Sequence, residues 1–300
     1  MEFRILEYFL VVAREENITK AAEELHITQP TLSRQLLDLE KELGKKLFVR
    51  GKRKTQLTED GWLLRKRAIE IVEMVSKAKS EISYTDNIIS GDIYIGGGET
   101  EGMRFVAKTA NSLQENHPLI CVHLYSGNSV DVLEKLDRGL LDFGLIIGLR
   151  DMAKYDVIRL PFNDVFGLLM RNDSSLASSE TISPMDIVGI PIITAGSMLV
   201  RNAFSAWFGK PIDLLNIVGT YNMIYNAALM VEEGVGYALT IKGLTQNDSG
   251  NLCFRPFAPS MQMGVFIARK KQKVFSRASE LFYKELQSFE NLYTTKLMHT

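Results

Sequence analysis

The chain has 300 residues, enough for about two domains and more than one apolar core. Hydrophobic residues make up 46% and charged residues 24%, and 35 basic against 36 acidic side chains leave a net charge of −1. Disordered, collagen-like and wholly basic nucleic-acid-binding classes are excluded, whereas a locally basic module is not. Two cysteines, Cys121 and Cys253, cannot build a disulfide framework, so a reducing compartment is expected. The N-terminal segment is interrupted by Glu7, Arg14, Glu15 and Glu16. It has neither the order of a signal peptide nor a span-length apolar run, which predicts a cytoplasmic protein with no membrane partner.

In chain order, Phe3, Leu6, Phe9, Leu10 and Ala13 fall at three- and four-residue steps and predict a first amphipathic helix. A second begins near Asn17 or Thr19, either of which can cap it, and buries Ala21, Ala22 and Leu25. The third has Thr28 as N-cap, Pro30 in its first turn, Leu32, Leu36, Leu39 and Leu43 as its buried stripe, and Gly44 as its stop. The short turn His26-Ile27-Thr28 and the small Ala21 and Ala22 let the second and third helices cross closely. Gln29, Thr31, Ser33, Arg34 and Gln35 are then left outward, side chains of the kind that read base edges in the major groove. A plain solvated face is the competing reading.

Residues 45 to 54 carry six positive charges and no acid. Leu47-Phe48-Val49 and Gln56-Leu57 flank Arg50-Gly51-Lys52-Arg53-Lys54 and predict a short hairpin with a basic tip, a wing suited to phosphates or a minor groove. Beside a helix-turn-helix, DNA explains this cluster better than solvation alone.

Taken together, Phe9 to Ala13, Ile18-Thr19-Lys20-Ala21-Ala22-Glu23-Glu24-Leu25, Thr28-Gln29-Pro30-Thr31-Leu32-Ser33-Arg34-Gln35, Leu39 to Gly44, Leu47 to Arg50 and Leu57 to Gly61 resemble the winged helix-turn-helix of LysR-type transcriptional regulators. The resemblance covers about the first sixty residues. It implies a linker helix followed by a two-lobed effector domain like the periplasmic solute-binding proteins, assembly into a tetramer as a dimer of dimers, and RNA polymerase as a candidate partner. The expected DNA-binding residues are Thr28, Gln29, Pro30, Thr31, Ser33 and Arg34 on the helix and Arg50, Lys52, Arg53 and Lys54 on the wing.

Independently, Leu57, Gly61, Leu64, Ala68, Ile71, Val75, Ala78 and Ile82 step alternately by four and three. Such a heptad seam predicts a dimerising coiled coil, with intramolecular packing of the helix as the alternative.

Beyond Gly91, strand-like runs alternate with amphipathic helices, which reads as βαβ units on a mostly parallel sheet. Strands near Ile93–Gly96, Ile120–Leu124 and Phe143–Ile147 with helices near Met103–Gln114 and Val130–Leu136 predict one lobe. Leu160-Pro161-Phe162 predicts a crossover into a second lobe with strands near Val165–Met170, Ile190–Thr194, Ile217–Gly219 and Tyr237–Leu239. The chain returns through Val265-Phe266-Ile267 to a helix near Phe275–Leu292. The expected divisions are 1–58 for the DNA-binding domain, 59–88 for the linker helix, 91–161 with 265–296 for the first lobe and 162–264 for the second. Ligands in open α/β sheets bind at strand C-termini, where helix N-termini converge. Four loops are expected there: residues 97–101, 126–129, 194–197 and 220–222. Gly98, Glu99, Thr100, Glu101, Ser126, Asn128, Ser129, Thr194 and Thr220 are the candidate effector-binding residues. Small polar loops at helix starts suit an oxygen-rich ligand, but Glu99 and Glu101 leave its charge open, and for any single Ser or Thr plain N-capping competes.

Gly96-Gly97-Gly98-Glu99-Thr100-Glu101 lacks the last glycine of the dinucleotide fingerprint, and no Walker, Gly-x-Ser-x-Gly or His-Glu-x-x-His motif occurs. His26, His117, His123 and His299 show no metal-ligand spacing, and Cys121 and Cys253 in apolar runs read as inert core residues. No enzyme, cofactor or metal is expected. The sequence therefore reads as an α/β, ligand-responsive transcription factor, a homodimer through its linker helix, binding double-stranded promoter DNA and a small-molecule effector. A cytoplasmic solute-binding protein is the alternative.

Overall fold

The computed structural model describes residues 1–51, 54–82, 89–148, 153–244 and 250–298. The chain folds as two compact units, Met1–Ser83 and Tyr84–Thr300.

The first unit contains α1 (Phe3–Glu15), α2 (Ile18–Glu24), α3 (Gln29–Leu43), β1 (Phe48–Arg50), β2 (Thr55–Leu57) and α4 (Glu59–Ile82). Its boundaries follow local chemistry. Asn17 caps α2 by accepting from Thr19 and Lys20 N–H at 2.9 and 3.1 Å. Thr28 caps α3, and Gly44, at φ 65°, ends it in the left-handed conformation that glycine tolerates. Leu32, Leu36 and Leu39 of α3 are fully buried against Leu6, Phe9, Val12, Ala21 and Ala22, each stabilising the unit by about 1.5–3 kcal/mol. Glu40 then sets where the wing starts, one carboxylate oxygen accepting from the N–H groups of Leu47 and Phe48. Strand pairing runs Phe48 to Leu57, Val49 to Gln56 and Arg50 to Thr55.

The anticipated seam on α4 divides. Its first half serves this unit: Ala68 is fully buried in the helix-turn-helix core, with Leu57 and Leu64 packed beside it. At Gly61 a Cβ would lie 2.2 Å from the Leu47 carbonyl oxygen, so the close approach of α4 to the wing requires glycine. Trp62, Leu63, Ile71 and Met74 are exposed apolar residues on the same helix.

The second unit is built on a nine-stranded mixed sheet. In chain order it holds β3 (Gly91–Gly97), α5 (Met103–Asn116), β4 (Ile120–Ser126), α6 (Ser129–Asp137), β5 (Phe143–Ile147), β6 (Tyr155–Arg171), β7 (Ile192–Ala195), α7 (Met198–Phe208), β8 (Ile217–Tyr221), α8 (Ile224–Glu232), β9 (Tyr237–Ile241), β10 (Leu252–Pro256), β11 (Gln262–Lys270) and α9 (Arg277–Met298). Strands joined through helices pair in parallel, β4 with β3, β3 with β5, β7 with β8 and β9. The two crossing strands pair antiparallel with each other and with their neighbours. Leu160-Pro161-Phe162, the expected crossover between the lobes, lies within β6, a single 17-residue strand that starts ten residues before the expected strand at Val165–Met170. Pro161 is tolerated because the β6–β11 register shifts between its neighbours, Arg159 facing Phe266 and Asn163 facing Gly264, so no ladder N–H is needed there.

Two cores flank this crossing. Helices α5 and α9 bury Phe105, Leu113, Phe282 and Leu286 on Ile93, Ile95, Phe143 and Ile267. Helix α7 buries Phe204 on Leu168, Ile192 and Leu239, while α8 buries Ala227 and Val231 on the opposite sheet face. Helices α7 and α8 begin just after the loops 194–197 and 220–222, which the sequence places at helix starts without giving the helices' extents; strand β10 is not anticipated by the sequence.

Candidate functional site

The first unit presents its polar side chains on one end of α3. Gln29, Thr31 and Arg34 are exposed and Ser33 is half-buried. Gln29 Nε2 donates to Ser33 Oγ at 3.1 Å and the hydroxyls of Thr28 and Thr31 lie 2.8 Å apart, so these groups are already oriented. Gln35, also read as outward, instead has a buried Oε1 without a partner among the described residues. In the wing, the Gly51 N–H donates to the Lys54 carbonyl at 2.9 Å, closing the hairpin. Lys52 and Arg53, the expected tip, lie outside the described residues. Lys54 Nζ is 2.9 Å from Glu16, and that carboxylate raises the ammonium's pKa. Lys45 stands 3.6 Å from Asp60. A phosphate approaching either lysine exchanges a carboxylate for itself, an exchange that exposed pairs worth about 0–1 kcal/mol permit.

In the second unit a cavity of about 100 Å³ opens between the two halves of the sheet. Gly98 and Glu99 reach it from the β3–α5 loop, Gly127, Asn128 and Ser129 from the start of α6, Ala195 and Ser197 from the β7–α7 loop, and Tyr221 and Asn222 from the end of β8. Ile147, Phe166, Val200, Ile224, Leu239, Ile241 and Leu244 supply an apolar wall. Glu99 spans the gap, its carboxylate accepting from the N–H of Ile224 at the head of α8, where the helix dipole favours negative charge. Tyr221 donates its hydroxyl to the Leu239 carbonyl at 2.6 Å, and burial pushes that phenol up to about 12, so it remains a donor at neutral pH. The only charged side chain among the described lining residues is Glu99.

Residues 3–62 match the bacterial regulatory helix-turn-helix protein, lysR family, and residues 88–290 match the LysR substrate binding domain. The chain belongs to the LysR family. An uncharacterized HTH-type transcriptional regulator, YybE of Bacillus subtilis (strain 168), is 31% identical over 94% of this chain and 97% of its own length. The Hca operon transcriptional activator HcaR of Escherichia coli (strain K12) is 29% identical over 90% and 92%. Among solved structures, the LysR family transcriptional regulator CbnR superposes with a TM-score of 0.75 at 18% identity, covering 97% of this chain and 99% of that one. Full-length CbnR complexed with its target DNA gives 0.74 at 18% identity, covering 96% and 99%. This chain is accordingly a DNA-binding, ligand-responsive transcriptional regulator.

Within this LysR-family chain, four of the nine anticipated effector residues line the cavity: Gly98, Glu99, Asn128 and Ser129. Asn128 is also the cap of α6, accepting from Val130 and Asp131 N–H at 2.9 and 3.1 Å. The other five lie elsewhere. Thr100 is buried beneath the loop, its hydroxyl donating to both oxygens of Asp164 at 2.9 and 2.8 Å while accepting from the Gly102 N–H. Glu101 pairs with Arg104 on the outside. Ser126 is exposed. Thr194 is fully buried with a hydroxyl that has no partner among the described residues. Thr220 is exposed on the outermost strand, and strand alternation delivers its neighbour Tyr221 to the cavity instead. Sequence reasoning missed the apolar wall, because Phe166, Leu239 and Ile241 carry the same pattern as any core strand.

Cysteine 121 departs from its expected burial. It is exposed, on β4, the edge strand of the sheet, most of whose residues after Ile120 are exposed. Among the described residues no helix is long and apolar enough to cross a membrane.

Proposed function

We propose that α3 lies in the major groove of promoter DNA, with Gln29, Thr31, Ser33 and Arg34 reading base edges and Thr28 and Pro30 setting the helix start against the backbone. Arg50, Lys52, Arg53 and Lys54 of the wing hold phosphates or enter the adjacent minor groove. Residues 1–58 are then the DNA-binding domain and 59–88 the linker helix. Two copies pair along α4 through Ile71, Val75 and neighbouring exposed apolar residues, presenting two recognition helices to a two-fold-related site, and pairs of dimers complete a tetramer. RNA polymerase is the further partner, and the protein works in the cytoplasm without catalysis.

The two lobes, 91–161 with 265–296 and 162–264, enclose the effector in the cavity lined by Glu99, Asn128, Ser129 and Tyr221. An apolar wall with a few convergent polar groups suits a small, largely apolar molecule with a polar head that donates to Glu99. Its binding changes operator affinity or spacing through a difference in affinity for two arrangements of the protein.

The observation that carries this reading is the exposed polar face of α3, prearranged on a closed apolar core. Operator binding measured by fluorescence anisotropy over a salt series tests it. Arg34→Ala should weaken specific binding by about 1–3 kcal/mol and relax sequence preference, while Lys52→Ala or Arg53→Ala should weaken all sequences alike and flatten the salt slope. Unchanged specific affinity in Arg34→Ala at fixed salt contradicts the assignment.

A further inference from the structure

Strand pairing gathers three side chains that the sequence keeps apart. In the parallel β3–β4 ladder, Asp92 faces Cys121 and Tyr94 faces His123. Residues two apart on a strand share a face, so Asp92, Tyr94, Cys121 and His123 form one patch on the side of the sheet opposite Ile93 and Ile95. The ligating atoms of Asp92, Cys121 and His123 all lie within 4.8 Å of one another. His123 Nε2 is 2.9 Å from Asp92 Oδ1. The Tyr94 ring stacks on the imidazole at 4.8 Å between centroids and 17° between planes, which fixes the plane of that ring.

We propose that Asp92, Cys121 and His123 bind one thiophilic divalent cation, Zn2+ before the harder Mg2+ or Ca2+. The donor set decides the class: a thiolate and an imidazole select zinc-like ions, and a carboxylate is their usual third partner. Tetrahedral Zn2+ holds sulfur at about 2.3 Å and nitrogen and oxygen at about 2.0–2.2 Å, which places its ligand atoms roughly 3.3–3.8 Å apart. With both strands already in register, an ion at this place requires the Asp92–His123 pair to open slightly from 2.9 Å and the Cys121 thiol, within 4.8 Å of both, to move in. The Asp92–His123 pair by itself accounts for two of the residues; the metal accounts for Cys121, whose thiol would otherwise stand exposed with no role. The fourth position opens to solvent and takes water. Because the ligands come from two strands joined only in the folded sheet, the ion binds the folded chain and raises its stability.

The test uses the full-length protein stripped with EDTA and titrated with Co2+ as a spectroscopic probe. The expected result is one Co2+ per chain, a thiolate-to-cobalt charge-transfer band in the near ultraviolet, and loss of the band when Zn2+ is added. Cys121→Ser should abolish the band, Asp92→Asn should weaken Co2+ binding at least tenfold, and Cys253→Ser should leave both unchanged. Zn2+ should raise the melting temperature of the parent and not of Cys121→Ser, whose exposed side chain makes no packing contribution to lose. No charge-transfer band in the parent overturns the proposal, as does a band that survives Cys121→Ser. Half an equivalent of Co2+ per chain overturns the single-chain site in favour of one shared by two copies.

Discussion

Asp164 offers a perturbation whose size and sign both follow from the structure. It lies on β6 opposite Met263 of β11, where the two crossing strands run side by side, and is 5% exposed. Burial, offset in part by the Thr100 hydroxyl and reinforced by the charge of Glu101, raises its carboxyl from 3.8 to about 6. That rise disfavours the ionised folded state by about 3 kcal/mol. A folded-state pKa above the unfolded value means that the folded chain holds the proton more tightly. The associated stability is therefore complete below pH 4 and is lost as pH rises through 6. Asp164→Asn removes the ionisation while keeping a side chain that can accept from Thr100, so it should stabilise the second unit by about 3 kcal/mol at pH 8 and by roughly half that at pH 5. Thr100→Val should act in the opposite direction, leaving a buried carboxylate without its hydroxyl donor at a cost of about 1.5–3 kcal/mol at pH 8. Urea unfolding followed by Trp207 fluorescence in a Trp62→Phe background reads the second unit alone. An Asp164→Asn variant less stable than its parent at pH 8, or a gain of the same size at both pH values, refutes the reasoning.

Three further outcomes follow from other contacts. Asp142, 1% exposed, bonds the Tyr94 N–H and the Lys273 ammonium at 2.9 and 3.1 Å. Asp142→Ala removes the carboxylate and leaves that ammonium its Gly139 and Leu141 carbonyl acceptors, each at 3.3 Å, and should cost about 1–3 kcal/mol by the same urea assay, the reverse of Asp164→Asn. Gly61→Ala drives a methyl group into the Leu47 carbonyl and should cost the first unit about 1–3 kcal/mol, measured through Trp62 fluorescence in a Trp207→Phe background; wild-type stability would mean that α4 does not approach the wing so closely. Replacing Ile71 and Val75 together by Asp should dissociate the dimer in sedimentation and abolish operator binding; an unchanged oligomer with intact binding removes α4 as the dimer contact.

The helix-turn-helix was legible in the sequence because its determinants are local. Asn17, Thr28 and Gly44 announce helix ends through backbone chemistry within a few residues, and Leu32, Leu36 and Leu39 through periodicity. Two of the four cleft loops contribute named effector residues, Glu99 and Asn128 among them, because strand ends before helices are also locally marked. The remainder depends on what lies across the sheet. A seam residue such as Ala68 carries the same heptad signal whether its partner is a second chain or its own helix-turn-helix, and only the fold shows that it packs on the latter. Thr100 has the composition of a ligand contact, yet Asp164, 64 residues away, takes its hydroxyl. Phe166 and Leu239 look like core until two halves of a sheet face each other, and Cys121 looks buried until its strand proves to be an edge.

On the proposed function, a small molecule in the cavity of the second unit controls DNA binding by the first. Once a thermal-shift screen of small metabolites supplies a ligand, operator binding with and without it in the parent, in Leu239→Asp and in Arg34→Ala tests this most directly. The predicted result is a ligand-dependent change of operator affinity or footprint in the parent, loss of that response but not of basal binding in Leu239→Asp, and loss of specific binding in Arg34→Ala regardless of ligand. A response that persists undiminished when Leu239 is replaced by Asp would contradict the claim.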